Sequence, residues 1–246
     1  PFDNLKLRQA VNLALDRNRI GLAAWGIIPQ YPQLLRYTRN SPWSTRSDSE
    51  IWDVVPGWGT GAKKQQEIEQ AKQLVKDAGY PDGIDVVQDA STNAPTPIAS
   101  EEVQRQLAPV GIRTTIKVVT AATQSDRQAN LNYTMQYWNF ATTTMDPDEV
   151  VGGYWITGGS RNTTGYSNPQ VDKLYVEMSS ALDPVKRKQL LSQIVDTIVL
   201  KDIGYTPALT PASFGYWWKR VQGVTIGAYI GFSPGLSRGD RLWLEG

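Results

Sequence analysis

The sequence predicts an α/β lobe built on a mixed β-sheet flanked by helices. Strand-like and helix-like segments alternate from residue 84 to about 140, the order that places helices against a sheet. The β-branched run "IRTTIKVVT" at 112–120 is a strong strand signal. Two amphipathic helices follow, at about 169–181 and 184–201, each opened by a capping residue and a proline.

Taken in order, Leu7, Ala10, Val11, Ala14 and Leu15 recur at helical spacing, which predicts a helix over about 5–24. Residues 29–61 are rich in Pro, Gly, Ser and Trp, show no period, and read as a long loop region. A second helix at 62–78 carries Ile68, Ala71, Leu74, Val75 and Ala78 on one stripe, with Gly79 where a C-terminal cap belongs. A short strand at 84–88, a helix at 96–108, the strand at 112–120, a short helix at 121–130 and a strand at 133–140 complete the alternation. In the helix at 184–201 the buried stripe is Leu190, Leu191, Ile194, Val195 and Ile198. The last 45 or so residues read as strands and turns rich in aromatics and glycine.

The composition narrows the chemistry. The 25 basic and 24 acidic residues balance, so no electrostatic footprint points to nucleic acid. No run of about 18 apolar residues is present to span a bilayer. With neither cysteine nor histidine, the chain has no disulfide, no thiolate or imidazole metal site and no Ser-His or Cys-His nucleophile. No metal or cofactor is implied. The nine tryptophans and eleven tyrosines are the unusual excess, and such side chains serve both cores and ligand clefts. The opening residues enter a helix without a leader, so the chain reads as a mature or cut fragment.

The stretch "YWNFATTTMDPDE" at 137–149 holds the candidate chemistry. Asp146-Pro147 has the form of a helix start, as do Asn168-Pro169 and Asp183-Pro184. Asp148 and Glu149 then fall in the first turn, where the helix dipole favours negative charge. Asp146 is therefore read as a structural cap rather than a catalytic acid, although a carboxylate pair of this kind is also what glycoside hydrolysis needs. The candidate binding edge lies just before it, in Tyr137, Trp138, Asn139, Phe140, Thr142, Thr143 and Thr144. Flat apolar faces next to small hydroxyls at the C-terminal end of a strand form a typical binding edge in α/β sheets. "PGWGTG" at 56–61 and "TGG" at 157–159 lack the context of phosphate-binding loops and read as turns, while Lys63-Lys64 and Lys186–Lys188 read as solvated helix faces.

Five blocks resemble, in order, the family 5 extracellular solute-binding proteins, the dipeptide-, oligopeptide- and nickel-binding components of ABC importers. They are "PFDNLKLRQAVNLALDRNRI", "QAKQLVKDAGYPDG" at 70–83, "MDP" at 145–147, "YSNPQVDKLYVEM" at 166–178 and "DPVKRKQLLSQIVDTIVLKD" at 183–202. The resemblance implies the C-terminal lobe of a two-lobed periplasmic-binding-protein-like fold of class II (cluster C). Residues 1–215 would form that lobe and 216–246 a return segment belonging to the other. It implies capture of a small solute between the lobes and delivery to permease subunits. The setting would be periplasmic, or extracellular and membrane-anchored in a Gram-positive host. Peptide binders of the family carry an aspartate for the peptide amine where this sequence has Thr143. Some oligopeptide binders carry an arginine where it has Tyr137. The expected solute is therefore not an ordinary amine-anchored peptide but a sugar, an opine-like conjugate or an aromatic compound. The alternatives are a peptide binder using backbone contacts, a carboxylate-based hydrolase, or a sensory ligand-binding module.

Overall fold

The computed structural model describes residues 1–26, 30–35, 37, 41–93, 95–138, 144, 146–207, 209–211, 219–222 and 243–244. Helix α1 (Leu5–Ala14) is capped by Asn4, whose side chain accepts the Lys6 N–H. It stops at Leu15, and Asp16 caps a separate helix α2 (Arg17–Trp25) by accepting the Arg19 N–H at 3.1 Å. The single helix expected over 5–24 is thus two. At the break the carbonyls of Asn12, Leu13 and Leu15, which a continuous helix would use, accept instead from buried cations, one of them far away in sequence.

Those cations are Arg17 and Lys64. Arg17 is 2 % exposed. Its Nε donates to Pro207 O at 2.8 Å, its Nη2 to Asn12 Oδ1 at 2.6 Å, and its Nη1 to the carbonyls of Asn12, Leu15 and Gly57. The guanidinium lies 4.4 Å over the ring of Trp58. Lys64 donates to the carbonyls of Leu13, Leu15 and Gly57 at 2.9–3.0 Å and pairs with Glu67 at 2.7 Å. Glu67 in turn accepts the backbone N–H groups of Gly57 and Gly59. Lys64 is therefore a buried structural cation and not part of a solvated helix face. Charge patterning along one helix shows only its pair with Glu67 and misses the carbonyls that bury it, two of them about 50 residues away. Burial pulls the Arg17 pKa down to about 9, against the opposing fields of Glu67 and Asp16.

The region expected as a loop holds a short strand β1 (Gln30–Pro32) and helix α3 (Asp48–Asp53), which opens on a capping box between Ser47 and Glu50. Helix α4 (Gly61–Asp77) ends at Ala78, followed by Gly79 at φ 97°. Then come β2 (Ile84–Ser91), α5 (Thr96–Leu107), β3 (Ile112–Val119), α6 (Ala121–Ala129) and β4 (Met135–Tyr137).

These three strands make a parallel sheet in the order β3-β2-β4. Ile84 pairs with Ile112 through to Ser91 with Val119, and Gln88 pairs with Met135 through to Ala90 with Tyr137. Val86 packs with Ala99 and Val103 of α5, whereas Asp89 on the other face meets Arg127 of α6. The helix after β2 and the helix after β3 therefore cover opposite faces. This reversal about β2 is the switch-point arrangement that leaves a ligand crevice at the strands' C-terminal ends.

Residues 147–154 are helical, with a π-helical turn over Asp148–Gly152. Helix α7 (Pro169–Ser180) is capped by Asn168 and α8 (Pro184–Val195) by Asp183. The latter continues as a π-helical turn over Asp196–Lys201, where Thr197 Oγ1 donates back to Gln193 O. Among the described residues, antiparallel strands form two small ribbons, β1 with β5 (Leu209–Pro211) and β6 (Val221–Gln222) with β7 (Trp243–Leu244), beside an isolated antiparallel bridge between Leu34 and Tyr37.

Two apolar clusters hold these parts together. One lies between α1, α2, α4, α5 and the sheet, around Leu7, Leu107 and Ile112. The other joins α3, the 147–154 helix, α7 and α8 around Trp58, Leu191, Ile194 and Ile198. Each fully buried aliphatic side chain stabilises the fold by roughly 1.5–3 kcal/mol.

Candidate functional site

The end of β4 bridges the two clusters. Tyr137 packs against the cluster under the sheet, and Trp138 packs against the other. Burial pushes the Tyr137 phenol above its ordinary pKa, so it stays protonated. The Trp138 ring lies 5.9 Å from that of Tyr154, tilted by 50°. Asn139, Phe140, Thr142 and Thr143 lie outside the described residues. Thr144 is exposed, and its N–H and Oγ1 both donate to Glu149 Oε2, at 2.6 and 2.7 Å. Glu149 thereby ties the far end of the candidate binding edge to the helix that follows it.

Asp146 Oδ1 accepts the Asp148 N–H at 2.9 Å. The Asp146 carboxylate also receives a two-pronged contact from Arg187 of α8, at 2.7 and 3.1 Å, and Arg187 Nη2 stands 2.9 Å from Asp148. The guanidinium lies 5.1 Å over Trp43. A cavity of about 470 Å³ opens here, lined in part by Trp43, Asp146, Asp148, Leu182 and Arg187. Partial burial opposes ionisation of Asp146, but the Arg187 hydrogen bonds and the Asp148 N–H outweigh it and hold the pKa below the usual carboxylate value. A carboxyl so held is a poor general acid at neutral pH, because glycoside cleavage needs one whose pKa is raised.

A side chain that sequence reasoning passed over completes the surroundings of the edge. Arg161 Cζ lies 5.8 Å from the Tyr154 ring, and its Nη1 donates to Glu149 Oε1 at 3.2 Å. Contact with the Tyr154 hydroxyl, more than the field of Glu149, raises its pKa further. The backbone that carries it is fixed. Arg161 N–H donates to Gly153 O at 2.9 Å, and Asn162 Nδ2 donates to Ile156 O and Tyr166 O. Gly159 is required by close approach, since a Cβ there would stand 2.7 Å from Gly153 O. "TGGSRN" reads as an ordinary turn in sequence. Only the fold shows that this turn carries Arg161 back to the residues after β4.

The parallel sheet with crossovers on opposite faces defines an open α/β lobe. Residues 1–162 match the family described as "Bacterial extracellular solute-binding proteins, family 5 Middle", and the chain belongs to that family. It is 25% identical over 251 residues to the glutathione-binding protein GsiB of Salmonella choleraesuis and, to the same degree, to that of Escherichia coli K12. Each match covers 95% of this chain and 44% of the relative, so the chain spans a little under half of their length.

Among solved structures, the periplasmic binding protein DppA from Helicobacter pylori, in complex with the peptide STSA, superposes with a TM-score of 0.78 at 20% identity. It covers all of this chain and 45% of that one. The dipeptide-binding protein from Pseudoalteromonas sp. SM9913, in complex with Met-Leu, gives 0.72 at 22%, over 92% and 43% of the two chains. These likenesses establish the fold as that of periplasmic binding proteins.

Proposed function

We propose that the chain is part of the solute-binding subunit of an ABC importer. Residues 1–215 form the C-terminal lobe, and 216–246 return to the other. The whole protein works outside the cytoplasmic membrane, closes its two lobes over a small solute and delivers it to permease subunits. Family membership supports the class. The observation that supports the site is Trp138 directly after β4, at the C-terminal end of a parallel sheet whose crossovers diverge, with Thr144 tied to the following helix through Glu149. The acids at 146, 148 and 149 serve structure rather than catalysis, since Asp146 and Glu149 are held by Arg187, Arg161 and Thr144.

The solute is a small peptide-like or other organic compound whose amine, if it has one, is not held by an aspartate at position 143. Burying an ammonium without a counter-charge is costly, and Thr143 offers none. A peptide held through its backbone is the second reading, favoured by relatives whose names record glutathione and peptides. Calorimetric titration of the full-length two-lobed protein with Met-Leu and with N-acetyl-Met-Leu tests amine independence. Affinities within about threefold of each other are expected. A loss on acetylation of roughly 100-fold or more, the scale of a buried charged hydrogen bond, would overturn it.

A further inference from the structure

The turn between α7 and α8 carries apolar side chains that the fold does not bury. Leu182 is 99 % exposed and Val185 is 64 % exposed. One such side chain alone would be unremarkable. These are not alone. A groove of about 500 Å³ runs beside the first turns of α8, lined in part by Pro42, Trp43, Pro184, Val185 and Lys188. Trp43 and Pro184 also line the cavity of about 470 Å³ that Leu182 borders, so the two join into one largely apolar surface. Contiguous exposed apolar surface marks a docking site.

The groove is ordered before anything enters it. Arg187 lies 5.1 Å over the Trp43 ring, and Asp146 and Asp148 hold that guanidinium at 2.7 and 2.9 Å. The Trp43 N–H donates to Ser41 Oγ at 3.1 Å. Along α8, Val185, Lys188, Gln189 and Ser192 recur at helical spacing on the groove face, while Leu191, Ile194 and Val195 enter the core. A partner side chain therefore meets a rigid surface, which lowers the cost of association.

Charge selects the partner. Lys186, Arg187 and Lys188 are consecutive in a chain whose charges otherwise balance. Arg187 is neutralised by Asp146 and Asp148. Lys186 and Lys188 are exposed and, among the described residues, pair with no acid. Asp183 caps the helix by accepting the Val185 N–H at 3.0 Å. An apolar groove beside two unneutralised lysines complements a protein segment that presents an apolar side chain flanked by carboxylates.

We propose that this face docks the subunit on its permease, by receiving an acidic, apolar-tipped segment of the permease. This rests on the reading of the chain as part of an importer's solute-binding subunit, and it names the surface and the chemistry of that contact. The apolar tip sits against Trp43, Pro184 and Val185, and the flanking carboxylates meet Lys186 and Lys188.

The test is biolayer interferometry of the full-length two-lobed protein against the permease–ATPase complex encoded by the neighbouring genes, held in lipid nanodiscs. Leu182→Ser combined with Val185→Ser is expected to weaken binding by about 10-fold or more, and Lys188→Glu by a similar factor. Added salt is expected to weaken the wild type more than Lys188→Glu. Melting temperatures should be unchanged, because all three side chains are exposed. Val118→Ser, at a position 56 % exposed on β3, is the control and should bind within about twofold of the wild type.

Wild-type affinity retained by both groove variants overturns the inference and leaves the importer reading standing. So does self-association of the wild type that the double variant loses while its permease binding is unchanged, because the face would then join copies of this chain. No binding of the wild type to the complex overturns the importer reading as well.

Discussion

Replacing Arg17 by methionine tests whether the buried cation network, rather than helix propensity, sets the shape of the N-terminal helix pair. Methionine keeps most of the side-chain volume and removes the donors. Two of the five acceptors, Leu15 O and Gly57 O, still receive Lys64 Nζ. Pro207 O, Asn12 O and Asn12 Oδ1 each lose the donor that Arg17 supplied. At roughly 1 kcal/mol for each buried acceptor stripped of a partner, the loss is about 3 kcal/mol. The contact with Trp58 adds to the loss, while release from burying the guanidinium offsets it. Glu67 is not orphaned, since Lys64 and two backbone N–H groups remain on it, so the full penalty of an unpaired buried charge does not apply.

Urea unfolding followed by tryptophan fluorescence reads this out. With a denaturant slope of about 3 kcal/mol per molar, the midpoint falls by about 1 M. Arg19→Met is the control. Its side chain is 64 % exposed and its partner Glu102 keeps Arg105, so a change within about 0.5 kcal/mol is expected. Equal midpoints for the two variants would refute the argument.

Three further substitutions extend the test. Gly57→Ala is expected to cost about 3 kcal/mol in thermal or urea unfolding, because Gly57 sits at φ 86° and an added Cβ would meet the Asn12 carbonyl and its Nδ2. Gly26→Ala, at φ 62° with open space around it, is expected to cost about 1 kcal/mol. Asp146→Asn should lower stability at pH 7 by less than about 1 kcal/mol, since the pair with Arg187 is partly solvated. The Asp146 pKa is depressed by folding, so its contribution is fully present above its ordinary value of 3.8 and is lost as pH falls through the lower folded value. Melting temperatures of variant and wild type should therefore converge below about pH 3.8. A gap that widens on acidification would show the sign to be wrong.

Much of the frame was legible in the sequence because the signals are local. The stripe of α4, the β-branched run of β3 and the Asn168-Pro169 and Asp183-Pro184 starts of α7 and α8 all operate within a few residues. The break at Leu15–Asp16 was harder to see, because the apolar period runs on through it. What interrupts the helix is Lys64, 49 residues from Leu15. Lys64 itself illustrates the limit of charge patterning, since a lysine donating to three carbonyls has no acidic pattern that would reveal all its partners. The candidate edge at 137–144 was suggested by residue type at a strand's end. Arg161 was not, because it reaches that edge through a glycine-bearing turn packed on Gly153, and such a route exists only in the fold.

The proposal that the chain supplies one lobe of a solute-binding protein, with Trp138 at its ligand edge, is tested most directly by mass spectrometry of small molecules co-purifying with the full-length two-lobed protein, run beside Trp138→Ala. One small solute per protein is expected, retained by the wild type and depleted in the variant. No bound solute, or one retained equally by both proteins, would contradict it.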